Sequence, residues 1–262
     1  MFYFLVSPFL TYNAILIAAA VIPAIFLLIR VYRSDRLEKE TPMLLGRLVL
    51  AGIVSTQIAL LLERISSNIL YNFVDYDTTL YRVLLYFVCV AVSEEGAKYF
   101  VLKRNTWRSV EFNCIFDGLV YATFVSLGFA LWENISYVMH YGLTNAVVRA
   151  FTAIPGHACF GVFMGVFYSA SKMFSCRGDR SRSKMFAFLS VLVPVLIHGA
   201  YDYIATINSE YISYYFVAFI IVLFVVSNMI IKNLSANDRY MDFRPPYEQS
   251  GQFYDDNDNG PF

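Results

Sequence analysis

Residues 211–231 read YISYYFVAFIIVLFVVSNMII, without a single Asp, Glu, Lys or Arg. A bilayer core roughly 30 Å thick is crossed by about 20 helical residues. Lipid gives backbone groups no hydrogen-bond partners, so an apolar run of this length reads as a spanning helix. Outward from it, residues 14–32, 53–62 with their flanks, 81–102, 115–139, 151–173 and 185–207 form further apolar blocks, most of them of spanning length. The chain is 58% hydrophobic and only 15% charged, a balance that a soluble domain of 262 residues rarely has. The expectation is an all-α polytopic membrane protein with about seven transmembrane helices.

The first block lacks the marks of a signal peptide. Residues 1–13 hold no Lys or Arg, and no small-residue cleavage site follows cleanly, so a retained helix is expected. Cys89, Cys114, Cys159 and Cys176 fall mostly within apolar blocks and show no CxxC spacing, which reads as small buried hydrophobes. A formal net charge of zero offers no footprint for nucleic acid.

Basic residues set the direction of insertion. Arg30, Arg33, Arg36 and Lys39 follow the first block, and Lys103, Arg104 and Arg108 follow the third. Lys172, Arg177, Arg180, Arg182 and Lys184 follow the fifth, and Lys232 and Arg239 the seventh. The intervening loops carry few cations, so the N-terminus is expected outside and the C-terminus in the cytoplasm. Residues 64–77 read as an irregular outer segment. Residues 1–234 read as one membrane domain, and the acidic, proline-containing stretch 235–262 as a mobile cytoplasmic tail.

The informative residues are the ionisable ones inside the blocks: Glu94, Glu95 and Lys98 in the third, Asp117 and Glu133 in the fourth, His157 in the fifth, His198 and Asp202 in the sixth. A carboxylate at mid-membrane costs about 2.5–3.5 kcal/mol on insertion scales, and such groups mark functional sites or mutual pairing. Lys98 can reach Glu94 (four residues away) or Glu95 (three) along one helix face, as can His198 and Asp202. A buried ion pair and a helix–helix hydrogen bond are the bland alternatives. Asp117, near a helix start, reads as structural, and His140 is assigned no role. Counted at 1.5 Å per residue, Glu94 and Glu133 come out at well-separated depths.

These motifs, Glu94-Glu95-x-x-Lys98, Phe129-x-x-x-Glu133-Asn134, Pro155-Gly156-His157 and His198-x-x-x-Asp202, resemble in order and spacing the PrsW family of bacterial intramembrane proteases. That family is distantly related to the CAAX prenyl endopeptidases and Abi proteins. The resemblance covers residues 87–202. It implies a multi-pass endopeptidase of the bacterial cell membrane that makes the first cut in a single-pass substrate of the anti-sigma-factor type.

Peptide hydrolysis needs an activated water, an oxyanion stabiliser and a proton donor. In one arrangement, Glu94 or Glu95 is the base and His157 and His198 stabilise the oxyanion or shuttle protons. In the other, Glu133, His157 and His198 hold zinc with a position open for water, Glu94 is the base, and Asp202 is a fourth ligand or a partner behind the ligands. Without zinc no cofactor is called for. The rival reading is a proton-coupled transporter or channel, which also uses intramembrane carboxylates and histidines. A further one is a scaffold of packed helices, for which Gly161-x-x-x-Gly165 is suited.

Overall fold

The computed structural model describes residues 8–207 and 209–241. Among them every regular element is helical: α1 Pro8–Ser34, α2 Pro42–Phe73, α3 Thr79–Leu84, α4 Val92–Thr106, α5 Asp117–Phe151, α6 Ala153–Cys176, α7 Arg180–Ala205 and α8 Glu210–Ala236. A π-helical segment, Leu85–Ala91, joins α3 to α4 without a break. Stretches Thr11–Ser34, Pro42–Phe73, Asp117–Cys176, Arg180–Ala205 and Tyr211–Ala236 are long and apolar enough to cross a membrane.

Local signals explain the helix ends. Thr41 caps α2 by accepting a hydrogen bond from Leu44 N at 3.3 Å, with Pro42 in the first turn, where its missing N–H costs nothing. Asp179 caps α7 in the same way through Arg182 N at 2.9 Å. Helix α5 is broken at Gly142, whose φ of 79° and ψ of −169° suit only glycine. Pro155 sits in the first turn of α6, where proline is tolerated.

Helix α5 is the centre of the bundle. Leu119, Val120, Tyr121, Ala122, Val125, Leu127 and Ala130 are completely buried there, as expected of a helix surrounded by others. It packs antiparallel to α6 through small residues. A Cβ on Gly161 would come within 2.8 Å of Thr123 Cα, and one on Gly165 would collide with Leu119 Cα. Gly52 of α2 and Gly128 of α5 likewise let those two backbones touch. The Gly161-x-x-x-Gly165 spacing therefore serves close packing.

Residues 81–102, expected to span, are not among the stretches long and apolar enough to cross a membrane. The structure departs from the sequence reading in two further places. Residues 64–73, expected to be irregular, continue α2. The stretch lacks Pro and Gly, Ser66 Oγ donates to Leu62 O at 2.8 Å, and Leu70 is buried. Residues 235–241, placed at the start of the tail, are packed against the fold. Ser235 Oγ donates to Ser34 O, Asp238 Oδ1 accepts from Phe116 N at 2.9 Å, and Met241 is buried with its N–H on Asn113 O at 2.7 Å. The remainder of that tail, 242–262, lies outside the described residues, as do 1–7.

Candidate active site

The ionisable residues of four helices converge. Glu94, Glu95 and Lys98 lie at the start of α4, immediately after the π segment. One extra residue per turn in that segment rotates the face that follows, a device frequent at functional sites. Helix α7 seats against it, because a Cβ on Gly199 would fall 2.5 Å from Phe87 Cδ1 and 3.0 Å from Phe87 Cα. His198 and Asp202 are thereby brought beside the two glutamates.

Lys98 is the hub. Its ammonium lies 2.7 Å from Glu95 Oε1, 3.3 Å from Glu94 Oε2 and 3.1 Å from His157 Nδ1. It also sits 4.1 Å above the centre of the Phe129 ring, a favourable place for a desolvated cation. An ammonium has no lone pair, so His157 Nδ1 must accept from it. The proton of a neutral ring is then on Nε2, which donates to Glu133 Oε2 at 2.8 Å. Ser126 Oγ donates to the His157 carbonyl at 2.6 Å and fixes the first turn of α6.

His198 faces carboxylates with both nitrogens. Nδ1 is 2.8 Å from Glu95 Oε1, and Nε2 is 3.3 Å from Asp202 Oδ2 and 3.8 Å from Glu94 Oε2. The Phe160 ring stacks on His198 at 4.7 Å and meets His157 edge-on at 5.6 Å, so one buried ring packs against both imidazoles. Glu95 and Lys98 are fully buried, whereas the side chains of Glu133 and Asp202 remain 22% and 23% exposed. The cluster therefore opens on the side of those two residues.

All six residues expected to form the site, Glu94, Glu95, Glu133, His157, His198 and Asp202, belong to this network. Asp117 does not; its Oδ2 accepts from Asn113 N at 2.9 Å and Cys114 N at 2.6 Å, holding the loop before α5. Glu94 and Glu133, expected at well-separated depths, are linked through Lys98 and His157. Sequence reasoning missed Arg149, whose guanidinium binds Glu133 Oε1 at 3.0 Å and lies 3.9 Å over the Tyr137 ring. In the sequence it reads as a lone cation of the outer loop between the fourth and fifth apolar blocks. Phe160 gave no signal, being one apolar residue among many. Glu63 of α2 lies within electrostatic reach of Glu133, His198, Lys98 and Asp202 without a hydrogen bond or ion pair to them among the described residues.

Three of these donors could share a divalent cation in place of the Lys98 ammonium, which contacts all three. Among the described residues one group of donors lies close enough to share an ion, Glu94, Glu95 and His157, with ligand atoms all within 4.8 Å of one another. Glu95 Oε2 is buried without a hydrogen-bond partner, an acceptor left over for such an ion. Of the trio Glu133, His157 and His198, only His157 is in that group.

The family model described as PrsW family intramembrane metalloprotease matches residues 39–227, taking in every one of these side chains. The chain belongs to the PrsW family. It is similar to Protease PrsW of Bacillus subtilis (strain 168), 33% identical over 214 residues that cover 79% of this chain and 90% of the relative. Protease PrsW of Halalkalibacterium halodurans is 30% identical over 230 residues, 86% of this chain and 99% of the relative. That of Clostridioides difficile (strain 630) is 28% identical over 226 residues, 85% of this chain and 90% of the relative. No solved structure matches. This PrsW-family chain is a multi-pass bacterial membrane protein and a membrane protease. The transporter and scaffold readings give way to that membership.

Proposed function

We propose that the chain cuts a single-pass membrane substrate of the anti-sigma-factor type, making the first cut near the outer face of the membrane. With that goes a topology of about seven spans, the N-terminus outside and the basic loops in the cytoplasm. The outward placing of Glu133, His157, His198 and Asp202 in the sequence supports the position of the cut.

One observation carries the assignment of roles: Glu94 and Glu95 are not equivalent. Glu95 has no exposure and is held by Lys98 at 2.7 Å and His198 at 2.8 Å. Glu94 is held more loosely, at 3.3 Å from Lys98 and 3.8 Å from His198, and its side chain is 10% exposed. Glu94 is then the base that takes a proton from water, and Glu95 the anchor that orients His198 and Lys98. His198, between Asp202 and the glutamates, is placed to return a proton to the leaving amine. His157 Nε2–H rests on Glu133 in the free site and would turn from it to serve the developing oxyanion. Were Glu94, Glu95 and His157 to hold a divalent metal in place of the Lys98 ammonium, Glu94 and His157 would act as ligands instead of base and donor, and the metal would supply polarisation of the carbonyl and acidification of water.

Purified protein reconstituted with a single-pass reporter substrate tests the proposal. Cleavage on the outer side of the reporter's span is expected from the wild type and none from Glu94→Gln. Undiminished cleavage by that variant would remove Glu94 from the reaction. Reporter fusions after Phe262 and after Asn208 test the topology, with cytoplasmic and external signals expected respectively.

A further inference from the structure

Between α1 and α8, at the end of the bundle that carries the first and last basic clusters, lies a groove of about 560 Å³. Its lining is Phe26, Ile29, Arg30, Arg33, Ser34, Arg36, Lys232 and Ser235, with no carboxylate among them. Two ties hold it open at a fixed width. Arg30 Nη2 donates to Asn228 Oδ1 at 2.5 Å on the bilayer side, and Ser235 Oγ donates to Ser34 O at the rim. The Arg30 guanidinium is further placed 5.8 Å over the Phe224 ring, so it closes the floor.

The remaining cations are uncommitted. Arg33, Arg36 and Lys232 are exposed and form no ion pair among the described residues. Directly below them, Phe26 and Ile29 present exposed apolar surface. Charge at the rim and hydrocarbon beneath it, at the end of two membrane-crossing helices, is the complement of a phosphate bearing acyl chains. A second basic patch at Tyr99, Phe100, Lys103, Arg104, Trp107 and Arg108 is different in kind. It belongs to a single stretch of chain, and Lys103 already rests on the rings of Tyr99 and Trp107.

We propose that the α1–α8 groove binds one anionic phospholipid, its phosphate held by Arg33, Arg36 and Lys232 and an acyl chain lying along Phe26 and Ile29. The bound lipid fills the gap between the first and last helices and joins them where protein contacts are sparse. The inference is independent of the catalytic assignment.

The test is native mass spectrometry of protein released from nanodiscs of phosphatidylcholine doped with phosphatidylglycerol. The wild type should retain one phosphatidylglycerol. The triple variant Arg33→Ala/Arg36→Ala/Lys232→Ala should lower that retention at least about tenfold. The control triple Lys103→Ala/Arg104→Ala/Arg108→Ala should retain it as the wild type does. Equal retention by the first triple, or equal loss in both, overturns the proposal. So does displacement by millimolar inorganic phosphate, which would make this a site for the free anion. Retention that rises when residues 242–262 are removed would identify the acidic tail as the occupant and also overturn it. If the first triple fails to purify, the single exposed-residue variants Arg36→Ala and Lys232→Ala should each show a partial loss, and wild-type retention by both overturns the proposal.

Discussion

The Lys98 ammonium lies 2.7 Å from Glu95 Oε1, and both side chains are fully buried. Two charges withdrawn from water in this way are tolerable only while paired and hydrogen-bonded. Around them the four carboxylates of Glu94, Glu95, Glu133 and Asp202 face two fixed cations, Lys98 and Arg149; a charged His198 narrows that deficit and a bound divalent cation closes it.

Removing one partner should therefore be worse than removing both. Lys98→Met alone should destabilise the protein by about 3–5 kcal/mol, because it strands buried carboxylates. The double variant Lys98→Met/Glu95→Gln should recover part of that loss. Thermal unfolding in detergent, read as a double-mutant cycle, measures the coupling. Strict additivity of the two changes would deny the pair its structural role.

Glu94 and Glu95 should separate in kinetics. Glu94→Gln should lower kcat by about three orders of magnitude or more while leaving the unfolding temperature within a degree or two. Glu95→Gln should lower both, since it also releases Lys98 and His198. The reverse pattern, with a stable and inactive Glu95→Gln and an active Glu94→Gln, would exchange their roles.

Metal content discriminates the possible ligand sets. If Glu94, Glu95 and His157 hold an ion, His157→Ala and Glu95→Gln should lose it, whereas Glu133→Gln should keep most of it. Elemental analysis of tag-free protein prepared without strong chelators gives the stoichiometry. Loss of metal in Glu133→Gln and His198→Ala, with retention in Glu95→Gln, would restore the trio of Glu133, His157 and His198.

The turn between α1 and α2 should respond to pH. Burial above all, with the nearby charges of Glu111 and Asp35, raises Glu40 to about 7 against the opposing hydrogen bonds from Tyr121 and Asp117. Burial raises Asp35 to about 6, and neither of its oxygens has a hydrogen-bond partner. An acid whose folded value is raised favours the folded state when protonated. That contribution is complete below the ordinary carboxylate values of 4.5 and 3.8 and is lost as pH rises to about 7 and about 6. The unfolding temperature of the wild type should thus fall relative to Glu40→Gln between about pH 4.5 and 7. A constant difference across that range would show that Glu40 titrates normally.

Close helix approach can be tested at Gly165, whose added Cβ would meet the backbone of Leu119 instead of a movable side chain. Gly165→Ala should cost about 1–3 kcal/mol by forcing α5 and α6 apart. An unchanged unfolding temperature would mean the pair yields freely.

Periodicity and composition determined that this chain is a bundle of membrane helices, since apolar runs of spanning length have no other stable form in lipid. The same pattern exposed its own exceptions: Glu94, Glu95, Lys98, Glu133, His157, His198 and Asp202 stand out because charge inside such runs is costly. Local composition misjudged residues 64–73 and 235–241, because helix continuation and packing there depend on neighbours far along the chain, such as Phe116 and Asn113. Only the tertiary structure decided who pairs with whom. The π segment at Leu85–Ala91 leaves no mark in hydropathy, yet it turns Glu94 and Glu95 toward α7. Arg149, which looked like a loop cation, engages the Glu133 oxygen that His157 leaves free. Spacing along one helix fixes which residues share a face, but the distance between residues on different helices is set by how closely the backbones pack. Here that distance rests on glycines such as Gly165 and Gly199, whose importance lies in the side chain they lack.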